Sequence, residues 1–218
     1  MDEATLLISS KNYSSWSLRG FLLTRLAGLK AEEKVVDPDD PVNRRELLGQ
    51  SSSIRIPALM HQNVVVWDTL AIAEYLNETF PEAGMLPSEP QARALCRSIS
   101  GEMHSGFVAL REACPMNLKL YRPNFAIWSA VQADIGRITE IWEDCLTRWR
   151  GPWLFGAAPS IADAMYAPVV TRFRSYDIRM EGPCERYCRQ ITSWPDMQEW
   201  FAAAQKEPDH IDELDIEF

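Results

Sequence analysis

With 218 residues, 46% of them hydrophobic and 24% charged, the chain is sized for one large domain or two modest ones around an apolar core. A formal net charge of -9 and a pI near 4.9 exclude a general nucleic-acid binder, since phosphate backbones are held by clustered Lys and Arg, but leave room for a local basic pocket. The absence of a long apolar run predicts no transmembrane helix, Met1-Asp2-Glu3-Ala4 lacks the basic segment of a signal peptide, and five irregularly spaced cysteines (Cys96, Cys114, Cys145, Cys184 and Cys188) predict reduced thiols in the cytoplasm, with neither a disulfide framework nor a metal site.

Thr5-Leu6-Leu7-Ile8-Ser9 is an apolar run of strand length, followed by the turn-like Ser10-Lys11-Asn12-Tyr13-Ser14. Leu18, Phe21, Leu22, Leu26 and Leu29 then recur at helical spacing, with Gly28 near the end. Glu33-Lys34-Val35-Val36 predicts a second strand, stopped at Asp37-Pro38-Asp39-Asp40-Pro41 because proline cannot donate to a ladder. A short helix over 44–48, closed by Gly49, comes next. Pro57-Ala58-Leu59-Met60 and Val64-Val65-Val66-Trp67 flank a tight turn at Gln62-Asn63 and predict a hairpin. Residues 69–79 predict a helix with Leu70, Ala73, Leu76 and Phe80 in register. The order β-α-β-α-β-β-α is thioredoxin-like: a right-handed crossover makes the first two strands parallel neighbours, and the hairpin adds an antiparallel edge. This α/β half is expected to span 1–82.

Three prolines and one glycine within 81–90 mark a linker, placed at 83–90. From 91 to 218 the period is helical throughout, which makes the fold class α/β plus all-α, a thioredoxin-like domain followed by a helical bundle. Ala92, Leu95, Cys96, Ile99, Met103, Phe107 and Leu110 form one stripe. Ile127, Trp128, Val131, Ile135, Ile138, Trp142, Cys145 and Trp149 form another. Ser160-Ile161-Ala162-Asp163 reads as a capping box opening a helix that Pro168 should kink. Trp194-Pro195 opens a last helix through Trp200, and the acidic stretch 207–218 is expected to be loosely held.

Four features could carry chemistry. Ser14-Ser15-Trp16-Ser17-Leu18-Arg19 stands where a strand meets a helix, so its hydroxyls either cap that helix or donate to a bound anion. A thiolate there would be favoured by both the hydroxyl and the helix dipole. Ile56-Pro57 opens the hairpin as either a trans turn or a cis bond, the latter leaving the Ile56 backbone free to pair with an extended ligand. Asp68 and Thr69 begin a helix, as caps or as holders of a ligand's amine and carboxylate. His104, in Glu102-Met103-His104-Ser105-Gly106-Phe107, lies beside its apolar stripe and faces either a cleft or solvent. No phosphate-binding glycine loop is present, and the α/β half has no cysteine, which excludes a C-x-x-C redox site there.

Taken in order and followed by an all-helical half, these stretches resemble the cytosolic glutathione transferases over nearly the whole chain. Tyr13-Ser14-Ser15-Trp16-Ser17-Leu18-Arg19 is similar to the zeta-class S-S-C-S-x-R, which places the chain among the serine-type classes. Ile56-Pro57 stands where the family has its cis-proline, Asp68-Thr69-Leu70-Ala71-Ile72 is similar to E-S-x-A-I, and Ser160-Ile161-Ala162-Asp163 matches the capping box of the helical domain.

The resemblance implies glutathione as co-substrate and no other cofactor. Ser14, or its neighbour Ser15, would stabilise the thiolate. Ile56, beside Pro57, would pair with the cysteinyl part, and Asp68 and Thr69 would hold the γ-glutamyl end. Arg55 stands where zeta enzymes carry a glutamine. Trp16, His104, Phe107, Met116 and Asn117 would wall the second-substrate pocket. The implied activity is attack of glutathione on a small hydrophobic electrophile by a homodimer, with no nucleic-acid or membrane partner. A glutathione-dependent isomerase or peroxidase, or a non-catalytic binding module, are the alternatives. Trp16 replaces the zeta cysteine to which the family ties maleylacetoacetate isomerase activity.

Overall fold

Strand β1 (Ala4–Ile8) is central because Leu6 and Ile8 are apolar and completely buried. It pairs in parallel with β2 (Glu32–Val35) and antiparallel with β3 (Ala58–His61), which pairs with β4 (Val64–Val66), giving the sheet order β2-β1-β3-β4. Gln62 and Asn63, between β3 and β4, both have positive φ (49° and 64°), as the two-residue turn matching strand twist requires. This computed structural model describes residues 4–37, 40–50 and 53–207; the acidic stretch after Glu207 and the Pro38-Asp39 part of the strand stop lie outside them.

Helices α1 (Ser15–Leu26), α2 (Pro41–Gln50) and α3 (Thr69–Thr79) complete this half. Helix α2 is longer than expected and Gly49 lies inside it. The Asp40 carboxylate accepts from the Val42 and Asn43 N–H groups at 2.8 and 2.9 Å, and Pro41 fills the first helical position, where no N–H is needed. The residues that end the strand therefore also start the helix.

The second half contains α4 (Pro90–Ser105), α5 (Val108–Ala113), α6 (Ser129–Trp149), α7 (Ile161–Ser175), α8 (Gly182–Ser193) and α9 (Pro195–Ala204). The first apolar stripe spans two helices, because Phe107 adopts φ 54° between α4 and α5. The close turn needs Gly106, where a Cβ would lie 2.7 Å from the Glu102 carbonyl oxygen. Helix α8 carries both Cys184 and Cys188, four residues apart. All five cysteines are free, and the described residues contain no cluster of three or more metal-binding side chains.

Helix α7 is buried almost throughout and runs through Pro168 without interruption. At its start the fully buried Asp163 carboxylate accepts from the Leu154 N–H (3.1 Å), the Ser160 N–H (2.8 Å) and the Ser160 hydroxyl (2.8 Å). Burial raises its pKa above the ordinary carboxyl value. Trp142 of α6 packs edge-on against Tyr166 of α7 and Tyr187 of α8.

The halves share one core: Leu6, Leu18, Leu22, Ile72 and Leu76 form a single cluster with Met103, Met165 and Val169. Helix α1 lies directly on α7. After α9 the chain returns to the loop between β1 and α1, where the Glu207 carboxylate accepts from the Ser10 hydroxyl and the Lys11 and Asn12 N–H groups.

Candidate active site

The site begins at the first turn of α1. Ser14 is the N-cap: its Oγ accepts from the Ser17 N–H at 3.2 Å and donates to the Ser17 Oγ at 2.8 Å. The Ser17 hydroxyl also accepts from the Ser9 N–H at the end of β1, tying strand to helix. Ser15 points the other way. It is buried, and its Oγ accepts from Arg172 Nη2 of α7 at 3.3 Å. The two adjacent hydroxyls thus have different surroundings, which a sequence motif cannot show.

Beside this turn lies a cavity of about 340 Å3 lined by Trp16, Arg55, Ile56, Pro57, Asp68, Thr69, His104 and Arg111. The Ile56–Pro57 peptide is cis. Pro57 is buried against α1 at Gly20, where an added Cβ would approach the proline ring to 2.8 Å, so only glycine permits this packing. Asp68 caps α3 by accepting from the Leu70 N–H at 3.1 Å.

His104 reaches from α4 to both neighbours at the start of α3. Its Nε2 lies 3.3 Å from Asp68 Oδ2 and its Nδ1 3.3 Å from Thr69 Oγ1, while its ring stands 5.0 Å from that of Trp16. In the neutral ring with hydrogen on Nε2, the carboxylate accepts and the Thr69 hydroxyl donates. His104, which the expectation grouped with the second-substrate wall, lines the cavity beside Trp16 and is joined as well to Asp68 and Thr69.

Phe107, Met116 and Asn117 are not on the wall of this cavity. Phe107 packs its ring against Tyr166, and Met116 is buried in the core. Asn117 is buried too, its Oδ1 accepting from Asn12 Nδ2 at 3.1 Å. The apolar stripe that drew attention to Phe107 is a core stripe.

Three arginines, unmarked by local pattern apart from Arg19 in the serine stretch, surround the α1 turn. Arg19 Nε donates to the Met165 carbonyl at 2.8 Å, and its guanidinium lies 4.5 Å from the Trp16 ring centre. Arg172 donates to the Cys114 and Pro168 carbonyls as well as to Ser15. Arg111 lies 5.0 Å from the Trp16 ring centre. It stands seven residues after His104 but on the next helix, beyond the break at Phe107, so no helical spacing in the sequence marks it.

A four-stranded mixed sheet with a cis-proline loop, joined to a helical bundle that shares its core, defines the two-domain thioredoxin-like architecture. Residues 13–79 match the glutathione S-transferase N-terminal domain and residues 125–203 the glutathione S-transferase C-terminal domain. The chain belongs to the glutathione S-transferase family. A glutathione transferase homolog from Burkholderia, solved with bound glutathione, superposes with a TM-score of 0.72 at 22% identity, covering 94% of this chain and all of that one. Glutathione S-transferase 1 of Dianthus caryophyllus is 29% identical over 74% of each chain. Maleylacetoacetate isomerase of Rattus norvegicus is 31% identical over 57% of this chain, a match that spans 56% of the rat protein's length.

Proposed function

We propose that the protein is a glutathione transferase that uses glutathione as co-substrate and needs no further cofactor. The observation that carries this reading is convergence: one cavity is bordered by the first turn of α1, the cis Ile56–Pro57 loop and the Asp68–Thr69 start of α3. In this reading the Ile56 backbone pairs with the cysteinyl part of glutathione. Asp68 meets the γ-glutamyl amine, and the Thr69 hydroxyl and adjoining N–H groups meet its carboxylate. Arg55 lies at the exposed end and attracts the glycyl carboxylate.

Of the two serines, neither of which lines the cavity itself, Ser14 is assigned to the sulfur because it is the half-buried N-cap of α1 while Ser15 is buried and turned toward α7; a bound sulfur would replace Ser17 Oγ as acceptor of the Ser14 proton. The Ser14 hydroxyl and the positive end of α1 favour the thiolate over the thiol, lowering its pKa. The anion then attacks a small electrophile lying against Trp16. Transfer is preferred to isomerisation because Trp16 stands in place of the zeta-class cysteine, although several relatives are named maleylacetoacetate isomerase. We assign the protein to the cytoplasm as a homodimer, in keeping with its family and its five unpaired thiols.

The test is titration of the bound thiol in Ser14→Ala and Ser15→Ala. The first should raise the thiol pKa and slow conjugation. The second should weaken the fold by about 1–3 kcal/mol through the orphaned Arg172 donor and leave the thiol pKa near the wild-type value. An unchanged pKa and turnover in Ser14→Ala would remove the assigned role. A panel of aryl halides, organic peroxides and cis-trans diacids separates transferase from peroxidase and isomerase.

A further inference from the structure

The α1 side of the cavity holds positive charge that no carboxylate answers. Arg19 is 1% exposed and gives its bonds to neutral carbonyls, those of Met165 and Ser15, while its Nη2 is buried with no partner among the described residues. Arg172, 4% exposed, likewise donates only to neutral oxygens. Burial first, and repulsion from neighbouring arginines second, lower the pKa of both, that of Arg172 to about 10. Keeping unpaired charge away from water is costly, and an entering anion would offset part of that cost.

Arg111 is the member of this group that lines the cavity. It is half-buried and stacked on Trp16, with no side-chain hydrogen bond or ion pair among the described residues. Asp68 is the one carboxylate among the lining residues, and it is engaged by His104 and by the α3 cap. The protein carries a net charge of -9, so overall charge does not explain this local excess of cations. A guanidinium with free donors beside a flat indole matches a planar anion attached to a flat body.

Resting on the transferase reading above, we propose that the electrophile carries a carboxylate, which the Arg111 guanidinium binds while its unsaturated body lies along Trp16. This narrows the substrate class from small hydrophobic electrophiles to acidic ones. With an aryl chloride as example, the glutathione sulfur forms a C–S bond and the C–Cl bond breaks. Chloride leaves with the bonding pair, the thiol proton has already passed to solvent, and the carboxylate is unchanged.

The experiment compares conjugation of a chloronitrobenzoate with that of the matching chloronitrobenzamide, each corrected for its uncatalysed rate. The ratio of kcat/KM, acid over amide, should fall about tenfold to a hundredfold in Arg111→Gln, the range for loss of a charged hydrogen bond. Arg111→Lys should retain part of the preference, since it keeps the charge but not the fork. In the wild type the ratio should fall as salt is raised. If Arg111→Gln does not fold, the lysine variant and the salt series decide.

An unmoved ratio overturns the proposal. So does a raised KM for glutathione as the sole effect, which gives Arg111 to the tripeptide instead. Calorimetry with glutathione on the same samples separates the two levels. No binding heat overturns the transferase reading and the proposal together. Heat without turnover of the acid, or heat with an unmoved ratio, overturns the proposal alone.

Discussion

Replacing His104 by alanine removes the link between the helical half and the start of α3. Two contacts are lost, both 3.3 Å long, beyond the 2.7–2.9 Å usual for charge-assisted bonds. The Asp68 side chain is 40% exposed, so solvent screens its share. Each contact is therefore placed at the weak end of the hydrogen-bond range, about 0.5–0.7 kcal/mol, and the pair at about 1–1.4 kcal/mol. If Asp68 and Thr69 hold the γ-glutamyl end, glutathione should bind about fivefold to tenfold more weakly in His104→Ala.

Calorimetry gives the dissociation constant, and steady-state kinetics should show the loss in the KM for glutathione, with kcat at saturating glutathione largely retained. His104→Gln should recover part of the affinity, because its amide can donate to Asp68 and accept from Thr69. An alanine variant with wild-type affinity, or one that loses kcat while keeping its KM, would refute the assignment of His104 as a positioning residue for the glutathione cradle.

Gly20→Ala should push the Pro57 loop off α1. Differential scanning calorimetry should show a lower Tm, equivalent to about 1–3 kcal/mol of overpacking, and glutathione affinity should fall with it. Asp163→Asn should cost about 2–4 kcal/mol in denaturant unfolding, because a neutral amide cannot serve all three buried donors. Folding raises the Asp163 pKa, chiefly through burial. The stability tied to this group is therefore complete below the unfolded value of 3.8 and is lost as pH rises through the raised folded value. Stability measured against pH should show that slope in the wild type and lose it in Asp163→Asn.

Much of the fold was legible because its signals are local. Apolar runs on both sides of the Gln62-Asn63 turn gave the hairpin, and the span of α3 was read as 69–79, as it is found. Helix α2 was read short because Asp40-Pro41 serves two purposes, ending a strand and starting a helix, and only the first was recognised. The break at Phe107 depends on backbone dihedrals that leave no mark on the apolar spacing of the stripe. Within the site, the junction residues Trp16, Ile56, Pro57, Asp68 and Thr69 were found because helix starts announce themselves through caps and prolines. Arg111, Arg172 and Gly20 were not, because their meaning lies in what stands opposite them across the fold. The same reason explains the different surroundings of Ser14 and Ser15: the helix turns one hydroxyl toward its own backbone and the other toward α7.

The seam between the halves is stitched by polar pairs that each need a member from both sides: Asn12 with Asn117, Ser15 with Arg172, Asp68 with His104. A chimera grafting another relative's helical half onto this α/β half would leave Asn12, Ser15 and Asp68 facing strangers. Changing what the protein accepts is therefore safer through point changes on the cavity wall than through exchange of whole domains, unless all three partners travel with the graft.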